Sequence, residues 1–453
     1  MATQRTTTSG TETASGSGTA PGRPATPGTG AAPAPGTGRT SGTGRTSGTG
    51  TAPGTGTGTA PGIGTAPGTG TASGTTGPGA FPGGAELFRL DPAVAHLNHG
   101  SFGAVPLPVS RVREGLAAEA DADPDAFFLS VPARLAEARR RIAARLGADP
   151  EGIALVSNAT EAANLALDAL GLGPVDEVLV TDHGYGTVTG AAARRARVTT
   201  VALDPDLPDE GAVAAAVLAA VTPRTKVALL DAVSSPTARV IAGPALIGAL
   251  RERGVVTVVD GAHAPGMLAE PLAGEPDFWF GNLHKWAYAP AGCAVLAVAP
   301  HHRGRVPAPV PSWEDEHGFP RAVEYRATTD YTGLLAAPEG LDLLAALGAA
   351  KVRAHNAELA AYGAGLLAEL PDLSPLPYDA SLAMRSLRLR RGLARTHPEA
   401  AALREHIAAR LGCRVLVWPW PTGGGIRVSA QIYNRPEEYG RLARGLRELL
   451  AEA

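Results

Sequence analysis

The sequence predicts an α/β protein with a large lobe on a mainly parallel seven-stranded sheet and a smaller α+β lobe at the C-terminus. Three observations lead there. Between residues 153 and 298, seven short β-branched and aliphatic runs alternate with alanine-rich amphipathic segments, as parallel strands joined by crossover helices do. Beyond a long helical region over 338–370, the pattern changes to short strands flanked by two helices, which predicts a separate lobe. Ahead of both, residues 1–84 iterate units such as GTGTAPG, a composition with almost nothing to bury.

In chain order, residues 1–84 are expected to form a disordered tail, since Ile63 is the only large aliphatic residue between Met1 and Phe81. Residues 85–110 precede the first helices and are expected to cross both lobes. The large domain is assigned to 111–335. Its strands are read from GIALVSN, DEVLVTD, VTTVALD, TKVALLDAV, VVTVVDGAH, DFWFGN and CAVLAVA, with helices over 160–171, 187–196, 209–221 and 244–253. The small domain, 336–453, takes its strands from MRSLRLR, RVLVWPW and GIRVSAQ. Its helices come from PEAAALREHIAARLG and RPEEYGRLARGLRELLAEA.

Composition narrows the function. A formal charge of −3 over 453 residues offers no basic surface for nucleic acid, so a small-molecule partner is expected. Two cysteines, Cys293 and Cys413, make neither a disulfide framework nor a thiolate metal cluster; no metal site is predicted, and a reducing cytoplasm is the expected compartment. No apolar run is long enough to span a membrane, and the N-terminus lacks an apolar signal core.

In a parallel sheet, ligands collect outside the carboxyl ends of the strands, and several polar groups fall there. Asn158, Ala159 and Thr160 open the helix after the first strand, where free amides and a hydroxyl suit an anion. Taken singly, an ordinary helix cap explains them as well. His183 and Tyr185 follow the second strand. Asp260 ends a very apolar strand, with His263 just beyond it. Asn282, His284 and Lys285 follow the strand DFWFGN. A lysine between two buried strands needs a partner or a task. A lysine, a carboxylate and an anion-binding helix start at one sheet edge match the needs of pyridoxal 5′-phosphate: an amine for its aldehyde, an acid for its ring nitrogen and amides for its phosphate.

DGAHAPG followed by FGNLHKW resembles the class V aminotransferase family of fold-type I pyridoxal-phosphate enzymes. HLNHGSFGAVP resembles its isopenicillin N epimerase-like branch, and SSPTARVI and GIRVSAQIYN add to the likeness. The resemblance covers residues 86–453. It implies that Lys285 is the Schiff-base lysine, Asp260 the partner of the ring nitrogen and His263 that of the ring hydroxyl. Ala159, Thr160, His284 and Asn282 would hold the phosphate, and His183, or in reserve Tyr185, would stack on the ring. Lys285, Asp260 and His183 are then the expected catalytic residues. Arg427 matches the arginine that takes the substrate carboxylate, a task suited to a planar guanidinium, with Asn98 and His99 also at the substrate. The threonine that the family sends across a dimer interface to the phosphate would be Thr328, although Ala327 stands where the family has glycine; a homodimer is implied.

The cofactor machinery serves epimerisation, transamination and β-elimination alike; likeness favours an epimerase, with an aminotransferase or a C–S β-lyase as alternatives and a non-catalytic binding protein behind them. Desulfuration by a protein thiol is disfavoured because both cysteines lie in strand-like stretches. WPWP (418–421) and SWEDEHGFP (312–320) are expected to wall the substrate site.

Overall fold

The computed structural model describes residues 77–452. The seven runs form the strands Ile153–Val156, Glu177–Thr181, Arg197–Val201, Thr225–Asp231, Val256–Asp260, Phe278–Asn282 and Ala294–Val298. In one sheet their order, by first residue, is 153, 294, 278, 256, 225, 177, 197. Ala294–Val298 is antiparallel to both neighbours; the other pairs are parallel. Alternation along the strands separates two cores. Leu155, Leu179, Leu230, Val259, Trp279 and Val295 point to one face, while their sequence neighbours Val156, Val178, Leu229, Val258, Phe280 and Leu296 fill the other. A sheet covered on both faces must be apolar at every position, which is why the inner strands read as unbroken aliphatic runs. Arg197–Val201 escapes this rule as the edge strand, and there Arg197 and Thr200 are exposed.

The small lobe carries a four-stranded antiparallel sheet in the order Leu416–Trp418, Gly425–Ser429, Met384–Leu389, Leu373–Pro375. The helices Ala349–Ala368, His397–Leu411 and Pro436–Ala451 share a core with it, built on Leu359, Leu387, Ile407, Val428 and Leu446. Ala95–His96 pairs with Cys413–Arg414 of this lobe. A few residues on, His99 Nε2 donates to the Lys285 carbonyl of the large lobe at 2.9 Å, so the segment 95–104 touches both.

Three sequence boundaries are corrected. The helical region 338–370 is two helices, Thr332–Ala346 and Ala349–Ala368, bent by 79°. The break falls at Gly348, whose φ of 82° suits a residue without Cβ. The first of the pair places Leu334, Ala337 and Leu341 in the large-lobe core, so that lobe runs to about residue 346 rather than 335. The tail expected over 1–84 lies outside the described residues up to 76, but Phe81 is buried with Phe88, Tyr288 and Tyr433. Packed structure therefore begins before residue 85. Among the described residues no single helix is long and apolar enough to cross a membrane.

Candidate active site

Five strands end at one edge of the sheet and bring their ends or following loops to a cavity of about 820 Å³ whose wall includes Asp231, Asp260, His263, Asn282, His284 and Lys285. Two glycines fix how closely its parts approach. A Cβ on Gly266, at φ 83°, would stand 2.3 Å from the Trp286 carbonyl oxygen, so this glycine lets the loop after Asp260 lie against the loop carrying Lys285. A Cβ on Gly103 would stand 2.1 Å from the His284 carbonyl oxygen, which lets the N-terminal segment close over the same loop.

The Lys285 Nζ atom lies 3.3 Å from His263 Nε2. Trp286 Nε1 donates to His263 Nδ1 at 3.4 Å, so the neutral imidazole carries its proton on Nε2 and offers it to Lys285. An amine that accepts must be uncharged, the form Lys285 takes as pH rises through about 8. Burial, with the Arg427 charge adding to it, pulls Lys285 down to about 8, against the opposing pull of Asp260 and Asp231. Burial likewise holds His263 well below its ordinary value, helped by Lys285 and Arg427. Asp260 Oδ1 accepts the Ala262 amide at 2.9 Å. Burial pushes its carboxyl up to about 6 against that bond and the lysine.

At the first strand's end, Asn158 caps the helix Ala159–Ala169 by accepting the Glu161 amide at 2.9 Å. The Ala159 amide is donated to Asn282 Oδ1, also at 2.9 Å. Asn282 thus ties two strand ends together, and Thr160, with its hydroxyl, is the first-turn residue on the cavity wall that neither clamp uses. His284 Nδ1 donates to the Cys293 carbonyl at 3.0 Å, so its neutral ring meets an anion with a bare Nε2, and an acidic ligand would have to bring the bridging proton.

Arg427 is fully buried. Its Nη1 donates to Ser235 O at 2.7 Å and Ser235 Oγ at 3.0 Å, and its Nη2 to Asn98 Oδ1 and Ser101 Oγ, both at 3.1 Å. All four acceptors are neutral, and burial draws the guanidinium down to about 9. His99 accepts from the Tyr433 hydroxyl at 3.0 Å while donating to Lys285 O, and burial brings it to about 4. It fixes the lysine loop from below as a neutral ring.

Several sequence expectations are placed differently. His183 does not line the cavity: its Nδ1 meets Thr237 Oγ1 at 3.2 Å and its ring packs edge-on against Trp420, 5.4 Å between centroids. Tyr185, two residues on and half exposed, is on the wall instead. Thr328 is exposed and away from the cavity of its own chain. Ala327 before it has a φ of 54°, so the backbone keeps the left-handed shape that favours glycine despite the alanine. Neither 312–320 nor 418–421 contributes to the wall. Sequence reasoning missed Asp231, Ser235 and Ser101. Asp231 closes the strand next to that of Asp260, and the rule that singled out Asp260, an acid ending an apolar run, applies to it equally.

Neither cysteine lines the cavity. Burial raises both thiols, Cys293 to about 12, so neither is a ready nucleophile.

The donor set fits pyridoxal 5′-phosphate. A buried free amine stands beside two buried carboxyls able to host a cationic ring nitrogen, with a capped helix start on the same wall and a buried guanidinium that no acid neutralises.

Comparison with known proteins agrees. The model of the class V aminotransferase family matches residues 129–442. Isopenicillin N epimerase of Streptomyces clavuligerus is 36% identical over 389 residues, covering 80% of this chain and 96% of that protein. A probable chloroplastic L-cysteine desulfhydrase of Arabidopsis thaliana is 26% identical over 407 residues, 81% of this chain and 85% of that protein. Among solved structures, the cysteine desulfurase CsdA of Escherichia coli shares the fold, with a TM-score of 0.66 at 20% identity over 81% of this chain and 97% of that one. With the fold, the sheet-edge site and the family match in agreement, this chain belongs to the class V aminotransferases and is a pyridoxal-phosphate-dependent enzyme of the fold-type I class.

Proposed function

We propose that the protein is an epimerase acting at the α-carbon of an amino acid or an amino-acid-bearing metabolite, as its isopenicillin N epimerase relatives are named for doing, and that it works as a cytoplasmic homodimer. The observation that carries this reading is the buried Lys285 amine on the cavity wall, with no thiol beside it. Bound there, the cofactor would supply an aldehyde for a Schiff base with the substrate amine and a cationic ring to delocalise the electrons released from Cα.

The chain's own residues supply the rest. Arg427 would take the substrate carboxylate in a bidentate pair. Lys285 Nζ would accept the α-proton, since lowering its value from 10.5 to about 8 raises the uncharged fraction several-hundredfold near neutral pH, to about a tenth at pH 7. Asp260 would hold the ring nitrogen positive. His263 Nε2–H would hand its hydrogen bond from the lysine to the ring hydroxyl. Thr160, Asn282 and His284 would meet the phosphate and Tyr185 the ring face. Thr328 would reach the partner subunit's site, which makes the dimer the working unit.

The test is turnover of isopenicillin N and a panel of L-amino acids in deuterium oxide. Deuterium entering Cα with inversion and no change of composition supports the epimerase. A keto acid would identify an aminotransferase. Sulfide with pyruvate from cysteine would favour a C–S β-lyase, the second reading, which the similarity to the plant desulfhydrase supports. Lys285→Ala should purify colourless and inactive; retained colour and turnover would refute the assignment of the lysine.

A further inference from the structure

The edge of the sheet opposite the cavity carries a second cluster with ligand chemistry. Phe278–Asn282 and Ala294–Val298 are antiparallel, with Phe278 opposite Val298, so the residue that enters the first strand meets those that leave the second. Asp277 and the pair His301–His302, at the start of the 3-10 turn Pro300–Arg305, are juxtaposed in this way. Each offers one ligand atom, and the three atoms lie within 4.8 Å of one another. Asp277 Oδ1 is 3.3 Å from His301 Nε2 and 3.8 Å from His302 Nε2. Two ligands bound to zinc at about 2.0–2.1 Å in a tetrahedron stand roughly 3.3 Å apart, so one edge of that figure is already formed and the second is a few tenths of an ångström too long.

His302 provides an independent sign. It is 6% exposed and neither ring nitrogen has a hydrogen-bond partner. Buried polar groups are seldom left so, and a structural histidine in a core ordinarily gives at least one nitrogen to a carbonyl or hydroxyl. Its ring is stacked at a tilt on Phe278, 4.8 Å between centroids, and on His301 at 4.1 Å. Asp277 is held from behind. Its Oδ2 accepts the Thr257 amide at 2.8 Å and the Thr257 hydroxyl at 2.9 Å, which leaves Oδ1 for a ligand. That is the outer-shell support typical of a metal-binding carboxylate. His301 is exposed, with 65% of its side chain open to solvent, so the fourth position would face water.

We propose that Asp277, His301 and His302 bind one Zn²⁺ ion per chain, clasping the entry of one central strand to the exit of its antiparallel neighbour, separately from the pyridoxal-phosphate site. Two imidazoles and a carboxylate form a borderline N₂O set that suits zinc over magnesium or calcium, which prefer oxygen alone.

The test uses the full-length holoenzyme freed of metal with a chelator and titrated with Zn²⁺ by calorimetry, and with Co²⁺ by visible absorption. The expected result is one ion per chain, a tetrahedral Co²⁺ spectrum displaced by Zn²⁺, and a Tm raised by several degrees with zinc. His301→Ala removes an exposed ligand without opening the core. It should weaken zinc binding at least tenfold and abolish the Tm shift while leaving the aldehyde absorption of the cofactor and turnover unchanged. His302→Gln should do the same to zinc. Binding that is unaltered in His301→Ala, or no saturable binding at one ion per chain, overturns the proposal.

Discussion

Asp231 and Asp260 are register partners at the carboxyl ends of adjacent parallel strands. Both are buried. Burial first, and then the charge of Asp260, holds the Asp231 carboxyl well above the ordinary range. Two neighbouring buried carboxyls resist carrying two negative charges, so a cation placed near them is favoured. The pair therefore has the sign of charge that would suit a pyridinium nitrogen.

Asp260→Asn should stabilise the cofactor-free protein while destroying its activity. The folded-state value of about 6 lies above the ordinary 3.8. The folded chain thus binds the extra proton, and the stability tied to it is fully present below about pH 4 and lost as pH rises through 6. Above that the ionised group costs roughly 3 kcal/mol. Asparagine keeps an oxygen for the Ala262 amide and cannot ionise. Its urea midpoint should exceed the wild type's at pH 8, and the gain should shrink as pH falls toward 4. A gain independent of pH would show that the carboxylate is not the source.

Lys285 gives the opposite slope. Its folded value of about 8 lies below 10.5, so the charged amine is disfavoured in the fold. The penalty is complete below pH 8 and is relieved as pH climbs toward 10.5. Lys285→Met should stabilise the cofactor-free protein at pH 7 by roughly 3 kcal/mol and by little at pH 10.5. Denaturant midpoints at the two pH values measure this. An unstable Lys285→Met at pH 7 would mean the lysine is better solvated than its surroundings imply.

For Arg427 the informative comparison is KM against kcat. Its four hydrogen bonds all run to neutral oxygens, so no acid has claimed its charge, and its partners Asn98, Ser101 and Ser235 form the cavity wall in front of it; the proposed carboxylate contact would displace some of these bonds. Arg427→Lys keeps a cation and loses the fork. A lost charge-assisted bond is worth roughly 1.5–3 kcal/mol, which predicts a KM rise of about tenfold to a hundredfold with a smaller change in kcat. Unchanged steady-state constants would place the carboxylate elsewhere.

Much of this site was legible before the fold. Lys285 and Asp260 stand out because each interrupts an apolar stretch, and the price of burying a charge makes such interruptions meaningful. Asp231 ends a strand in the same way, but the small residues after it, AVSSP, drew no attention to it. The turning of His183 toward Thr237 and Trp420 depends on residues more than fifty positions away, and local pattern carries no record of such contacts. The same holds for Ser101 and Ser235, ordinary loop serines until the small lobe brings Arg427 between them. Gly348 was a local sign of the helix break, outweighed by the apolar periodicity on either side of it.

The boundary of the N-terminal repeats gives a last test, because two truncations eight residues apart should behave differently. Phe81 is 6% exposed, sits edge-on to His355 at 5.3 Å between ring centroids, and has Lys351 Nζ 4.9 Å from its ring centre. Its carbonyl also accepts the Gly84 amide at 3.0 Å. Removing residues 1–76 touches none of these contacts and should leave Tm and cofactor content as they are. Removing residues 1–84 strips the ring from the cluster that includes Tyr288 and Tyr433. The loss should approach that of Phe81→Ala, roughly 3 kcal/mol for a buried phenylalanine. Because Tyr433 also bonds His99, which holds the Lys285 loop, the longer truncation should weaken cofactor retention as well. Equal melting temperatures for the two truncations would show that Phe81 rests on the surface of the fold without anchoring it.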